Sequence, residues 1–316
     1  MPVETPVTMP ARTGRLDAIT PVRRRALVIV NYGKSVLVED EAGSLHRCVT
    51  RRKLNQLVCG DRVIWEPVGA QDGIIHAVEP RQTVLARADG SKRLRPLAAN
   101  IDQILIVMAP QPAHDTFLID RYLVAAELAG TMPLLVFNKS DLLPPRSDGV
   151  PEAELREYAA IGYTSLMTSA RDHAGIDGLV QTLVDRTSIL VGQSGVGKSS
   201  LIKRLLPELD IQTGKLSDAS GQGIHTTTRT TLYHLPQGGK LIDSPGVRDF
   251  RLGETAPDEL ARGFREFRPY LGSCRFQNCR HLSEPGCAVN EALRQGMISE
   301  RRMNSYRMLM ERNPSS

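Results

Sequence analysis

The chain has 316 residues, of which 41% are hydrophobic and 24% charged, and a formal net charge of +5. That length accommodates two or three domains, and the composition is that of a globular protein in water rather than a disordered or fibrous one. No apolar run approaches the roughly 18 residues that a membrane-crossing helix needs, so no membrane partner is expected.

Residues 1–24 are rich in Pro, Thr and Arg and lack an apolar signal core; they read as a disordered tail of a cytoplasmic protein. Five short strand-like runs follow within residues 25–80: Ala26–Val30, Ser35–Val38, Leu45–Val49, Arg62–Glu66 and Gly73–Val78. Gly- and Asp-containing turns separate them, the pattern of a small β-barrel. An OB-fold is the natural candidate, and such barrels often bind oligonucleotides, although five strands do not by themselves separate OB from SH3-like barrels. Arg51, Arg52 and Lys53 stand between the third and fourth runs, where either a phosphate contact or a solvated turn fits. Residues 81–97 are basic and irregular and read as a linker.

From residue 98 to 255 the pattern changes to strands alternating with helices. Apolar runs at Ile101–Val107, Leu134–Phe137, Thr164–Met167, Ile189–Val191 and Lys240–Ile242 read as strands. Helical spacing covers Phe117–Leu128, Glu152–Ala160, Ile176–Val184 and Ser200–Leu206. This alternation predicts a parallel α/β sheet with ligands at the strand C-terminal ends. Residues 256–316 turn helical, become irregular around a group of cysteines, and are helical again from Ser299 to Arg312. Met303, Tyr306 and Met310 share one face of that last helix, a stripe read as packing.

Gly192, Gln193, Ser194, Gly195, Val196, Gly197, Lys198 and Ser199 match G-x-x-x-x-G-K-[ST], the phosphate-binding P-loop, and Ser200 continues into the helix. Backbone N–H groups of this turn would wrap phosphates; Lys198 would reach the β- and γ-phosphates and Ser199 would bind Mg²⁺. Asn138, Lys139, Ser140 and Asp141 follow another strand. A carboxylate at Asp141 can accept from both N1–H and the exocyclic amine of guanine, a donor pair adenine lacks. Asn138 would pair near the base, and the Lys139 stem would pack along its ring. After the next strand, Ser169 and Ala170 would offer a backbone N–H to the guanine oxygen. Asp243, following the strand Lys240–Ile242, would hold Mg²⁺ through water, and the Gly246 N–H would sense the γ-phosphate. The polar segment Leu216–Thr231 suits a switch loop, in which Thr227, with Thr226 and Thr228 beside it, would complete the Mg²⁺ shell.

These are the five boxes of a GTPase, but base boxes precede the P-loop and switch boxes follow it. Such an order describes a circularly permuted GTPase, which is feasible because all boxes meet at one sheet edge. Val247 stands where a water-orienting Gln would be expected. An apolar side chain cannot orient water, so slow hydrolysis stimulated by a partner is expected.

Of five cysteines, Cys48 and Cys59 lie in strand-like surroundings and read as core residues. Cys274, Cys279, His281 and Cys287 form C-x4-C-x-H-x5-C, three thiolates and one imidazole suited to one structural Zn²⁺. The odd count and the clustering favour a reducing compartment over a disulfide frame. His46, His76, His114, His173, His225 and His234 have no comparable ligand neighbours, although His225 would lie near the γ-phosphate. Residues 1–60 carry ten Lys/Arg against five Asp/Glu and residues 256–316 ten against seven, while the middle carries twenty against twenty-three. Basic flanks suggest a polyanionic partner such as RNA, with solvated charge as the alternative.

The combination of the barrel, the permuted boxes NKSD, GQSGVGKS and DSPGV, and the Cys/His set resembles the ribosome small-subunit-dependent GTPases of bacteria, the RsgA/YjeQ family. The resemblance implies an α/β P-loop GTPase core, circularly permuted, with an N-terminal OB-like β-barrel that binds ribosomal RNA and a C-terminal helical zinc-binding domain. It implies GTP hydrolysis with Mg²⁺, stimulation by the small ribosomal subunit, and a role in late maturation of that subunit. A monomer is expected. Family members commonly carry a hydrolysis-linked histidine shortly after the DSPG box; Glu254 stands there in this chain, and His225 is a substitute. Competing readings are a GTPase acting on another RNA or protein, and an ATP-using P-loop kinase or ATPase; Asp141 argues against the latter.

Overall fold

The structure is a computed structural model that describes residues 22–50, 54, 56–88, 94–143, 150–220, 229–244 and 255–312. The expected tail, apart from its last residues, and Arg51, Arg52 and Lys53 lie outside the described residues.

Strands β1 (Arg24–Asn31), β2 (Val36–Asp40), β3 (Leu45–Thr50), β4 (Arg62–Pro67) and β5 (Asp72–Val78) form the barrel. Their order is β1-β2-β3-β5-β4, and β1 pairs with β4 to close the circle. Only β3 and β5 run parallel; the other pairings are antiparallel, the arrangement of an OB-fold. Alternation turns Val28, Val36, Val38, Cys48, Val63, Trp65 and Ile75 inward as one cluster. Cys48 is therefore barrel core, and Cys59 is buried with its thiol on the Ile29 carbonyl, 3.3 Å away.

The stretch expected to be an irregular linker instead contains β6 (Val84–Ala88) and β7 (Leu94–Ala99), an antiparallel hairpin. Its basic composition hides a hairpin that buries Leu85 and Ala98 in the main core. β8 (Gln103–Met108) follows, buried at every position. Next come α1 (Thr116–Leu128), β9 (Met132–Phe137), α2 (Val150–Ala160), β10 (Thr164–Met167), α3 (Ile176–Leu183) and β11 (Thr187–Val191). The P-loop leads into α4 (Lys198–Leu205), then α5 (Leu209–Ser220), β12 (Thr231–His234) and β13 (Lys240–Asp243). Thus the first residues of the segment read as a switch loop are helical; α5 buries Leu216 while its polar composition hides the period.

Strands β10, β9, β8, β11 and β13 are parallel neighbours in that order, and β12 adds antiparallel at the end. β12 then bridges to β1 through Val30 and Thr231, so barrel and α/β core share one eleven-stranded sheet.

The C-terminal part comprises α6 (Pro257–Arg262), a 3-10 helix at Arg265–Tyr270, α7 (Ala288–Arg294) and α8 (Glu300–Arg312). Met303, Tyr306 and Met310 pack with Phe264, Phe267 and Leu260 and reach Val124 of α1. Phe264 and Phe267 stack 4.9 Å apart, and Tyr306 meets Phe264 edge-on at 5.5 Å. A buried ionic network fastens this unit to the α/β core. Arg302 donates to Asp120 of α1 at 2.7 Å and to Glu266 at 2.6 and 3.1 Å. Arg301 reaches Asp120 and Glu157 at 2.8 Å each, and Tyr158 of α2 donates to Asp120 at 2.7 Å. Arg265 and Arg268 share Glu127 at the end of α1.

Candidate nucleotide site and metal cluster

Strands β9, β10, β11 and β13 end on the same side of the sheet, and each is followed by one of the boxes. The loop after β11 is shaped by glycine. Gly192 has φ 140°, and a Cβ there would lie 2.2 Å from the Val107 carbonyl oxygen; Gly197 has φ 93°, and a Cβ there would lie 2.3 Å from Asn138 Nδ2. Only glycine fits both constraints. Gly197 caps α4, whose first N–H groups point out of the helix start as in any helix and form an anion cradle. Lys198 folds back across the loop, its Nζ donating to the carbonyls of Gly192 and Gln193 at 2.7 Å each. Val196 is buried, whereas Ser194, Gly195, Ser199 and Ser200 face solvent.

Asn138 joins three boxes. Its Nδ2 donates to the Val196 carbonyl at 2.9 Å, and its Oδ1 accepts from Thr168 Oγ1 and the Ala170 N–H at 3.3 Å each. Lys139 takes the left-handed conformation, φ 61°, and its Nζ donates to the Gln111 carbonyl at 2.8 Å. The Ser140 N–H reaches the Thr168 carbonyl at 3.1 Å. Ser169 Oγ donates to Asp141 Oδ1 at 2.7 Å and accepts from the Asp172 N–H, and a carboxylate has acceptor capacity for further donors. Asp243 ends β13, and the next residue, Ser244, is hydrogen-bonded to Thr230 at 2.8 Å. Thr227, Gly246, Val247, Glu254 and His225 lie outside the described residues.

Two supporting contacts carry no signal in the sequence. Arg204, in the last turn of α4, donates to the Ala170 carbonyl at 2.7 Å and braces the loop after β10 from behind. The loop 109–115 lies against the P-loop, with the Pro112 ring 3.3 Å from where a Cβ on Gly195 would fall. Four of the six histidines without metal neighbours pair with carboxylates: His46 with Asp40, His76 with Glu66, His114 with Glu154 and His234 with Glu39.

Cys274, Cys279, His281 and Cys287 bring four ligand atoms within 4.8 Å of one another. Cys274 Sγ and Cys287 Sγ are each 3.4 Å from His281 Nδ1 and 3.9 Å from each other. A tetrahedral thiolate–imidazole site places its ligand atoms about 3.5–3.8 Å apart, given bonds of about 2.0–2.3 Å. The loop is preformed: Gly286 has φ 72°, and the Arg275 N–H reaches the Gly286 carbonyl at 3.0 Å. Glu284 accepts from the N–H groups of Arg280, Leu282 and Ser283, which closes the turn between His281 and Cys287. Backbone N–H groups of Ala288 and Asn290 point at the sulfurs of Cys274 and Cys287 at 3.4 Å. Burial lowers the His281 pKa, which keeps the imidazole neutral, the form that binds metal. Burial pushes the Cys279 thiol up to about 12 and raises Cys287 as well, so a metal ion must displace protons here.

A family model described as RsgA GTPase matches residues 78–253. The chain belongs to the RsgA GTPase family. It is 50% identical over 292 residues to the small ribosomal subunit biogenesis GTPase RsgA of Chromohalobacter salexigens, covering 91% of this chain and 86% of that one. Among solved structures it is similar to YjeQ from Thermotoga maritima, with a TM-score of 0.76, 33% identity, and coverage of 92% of this chain and 98% of that one. It is also similar to YloQ, a circularly permuted GTPase, with a TM-score of 0.73, 26% identity, and coverage of 92% and 95%. This family member is therefore a permuted GTPase that hydrolyses GTP to GDP and phosphate, and the inverted order of its boxes is a property of the fold. No described helix is long and apolar enough to cross a membrane.

Proposed function

We propose that this GTPase binds the small ribosomal subunit through ribosomal RNA in the cytoplasm, assists its late maturation as a monomer, and hydrolyses GTP faster on the subunit than alone. The observation that carries this reading is the match over nine-tenths of the chain to a relative named for small ribosomal subunit biogenesis. The basic residues 1–60 and the basic C-terminal unit support an RNA partner on both flanks.

Within the site, Asp141 reads the guanine edge, Asn138 and Lys139 frame the base, and the Ala170 N–H meets the guanine oxygen. Gly192 to Ser200 cradle the phosphates, with Lys198 turning from its own loop to the β- and γ-phosphates. Ser199, Thr227 and Asp243 would hold Mg²⁺, whose preference for hard oxygen donors they suit, and which supplies charge neutralisation between the phosphates. The Gly246 N–H senses the γ-phosphate. Zn²⁺ is the structural ion that three sulfurs and one nitrogen at these separations suit. The domain plan is a tail at 1–24, a barrel at 25–80, a joining segment at 81–97, the GTPase at 98–255 and the zinc unit at 256–316.

The test is the GTP turnover of the purified protein alone, with isolated small subunits and with large subunits. Acceleration by small subunits only is expected. Equal rates in all three would remove the maturation reading.

A further inference from the structure

We propose that His114 is a positioning residue for guanine nucleotide binding: it bolts the loop 109–115 to helix α2, and that loop holds Lys139 and walls the P-loop. The proposal rests on the nucleotide reading of the site given above.

Three contacts define the bolt. His114 Nε2 lies 2.7 Å from Glu154 Oε2 on α2, and Nδ1 lies 3.2 Å from the Ala109 carbonyl at the end of β8. The ring meets Phe137 edge-on, 6.1 Å between centroids, and Phe137 is the residue before Asn138. The other end of the loop serves the site. The Gln111 carbonyl takes the Lys139 Nζ at 2.8 Å, and Pro112 packs over Gly195. If the loop shifts, Lys139 loses its anchor and the P-loop loses one wall.

Both ring nitrogens face acceptors. A neutral imidazole has one N–H, so it leaves either Glu154 or the Ala109 carbonyl opposite a lone pair. The imidazolium satisfies both. The charged groups around the ring are Glu154 from α2 and Asp115 from its own loop, both acidic, while Phe137 of β9 is uncharged. The Glu154 hydrogen bond outweighs the opposing effect of burial, and the histidine pKa is raised. The doubly bonded form of the bolt is therefore present below the raised pKa and loses one of its two hydrogen bonds as pH rises through it. Nucleotide, by favouring the closed loop, must raise that pKa further, because proton and nucleotide binding are linked.

Fluorescent GDP affinity measured from about pH 6 to about pH 9, across the histidine range, tests this. The chain with its native residues is compared with His114→Phe, which keeps the ring, and Glu154→Gln, which keeps the shape and removes the charge. Taking the ratio of the two affinities at each pH cancels titration of the nucleotide itself. At low pH His114→Phe should bind GDP roughly tenfold more weakly, the order expected for one charge-assisted hydrogen bond. The deficit should shrink as pH rises, and Glu154→Gln should move the break to lower pH. Histidine NMR signals should show the His114 pKa higher with GDP than without. A ratio that is flat with pH, or a break that Glu154→Gln leaves in place, would overturn the bolt even with strong GDP binding. No GDP binding by the unsubstituted chain would overturn the nucleotide reading and the bolt together.

Discussion

Arg302→Met tests how the C-terminal unit is held to the α/β core. Methionine keeps much of the volume and strips the charge. In the native structure Arg302, fully buried, satisfies a fully buried Asp120 and a Glu266 that is 7% exposed. Burial disfavours its charge, yet Asp120 and Glu266 outweigh that cost and its pKa is raised. Its guanidinium also lies 4.6 Å from the Phe264 ring. After substitution Asp120 keeps Arg301 and Tyr158, but Glu266 loses two charge-assisted hydrogen bonds in a site closed to water. Breaking a buried ion pair from one side costs about 3–5 kcal/mol, because the penalty is the stranded charge. Urea unfolding followed by far-UV circular dichroism reads the helices of the α/β core and of the C-terminal unit together. The single tryptophan, Trp65, sits in the barrel core and reports a different region by fluorescence. A second substitution, Glu266→Gln, should recover about half of the loss by removing the stranded charge. A loss below about 1 kcal/mol, or no recovery in the double variant, would refute the reasoning.

Asp141→Asn should weaken GTP binding roughly tenfold or more, the value of a charge-assisted pair, and admit xanthosine triphosphate; equilibrium binding of both nucleotides checks it. Gly197→Ala places a methyl against Asn138 Nδ2 at a positive φ that costs about 1–2 kcal/mol before the clash is counted, so GDP affinity should collapse while the barrel stays folded. Cys287→Ser should abolish stoichiometric metal, read by elemental mass spectrometry, and loosen α7, which Cys287 caps. Metal affinity of the native chain should rise with pH: His281 is already neutral near pH 7, so the protons released come from thiols whose pKa burial has raised. A pH indicator in weak buffer counts them during metal titration, and no release would contradict the ligand set.

The boxes were legible because backbone chemistry allows few alternatives. A phosphate cradle needs glycine where a Cβ would strike Val107 or Asn138, and it needs Lys198 and Ser199 at fixed offsets. The cysteine set was legible for the same reason: ligand type and spacing are the chemistry. β12 and α5 were not, because each is short or polar, and β12 pairs through Thr231 with Val30, far earlier in the chain; the β6–β7 hairpin pairs locally, but its basic composition hid it. The Arg302–Asp120 and His114–Glu154 pairs were equally hidden. Nothing local marks an arginine in a polar helix as buried, and only the assembled tertiary structure joins residues so distant in sequence.

The order of strands has a cost during synthesis. β8 is flanked by β9 on one side and β11 on the other. A ribosome making this chain delivers β9 and β10 promptly, but β8 then waits with its second edge bare until Thr187–Val191 emerges. β1 likewise holds its place beside β12 until nearly the whole GTPase has been made. An apolar strand with an open edge invites pairing with the wrong neighbour, and nascent chains wait in seconds while strands pair in microseconds. In the unpermuted order the phosphate half would be made first and the base half last. Permutation reverses this, so the half that selects guanine waits with an open edge while the phosphate half is made.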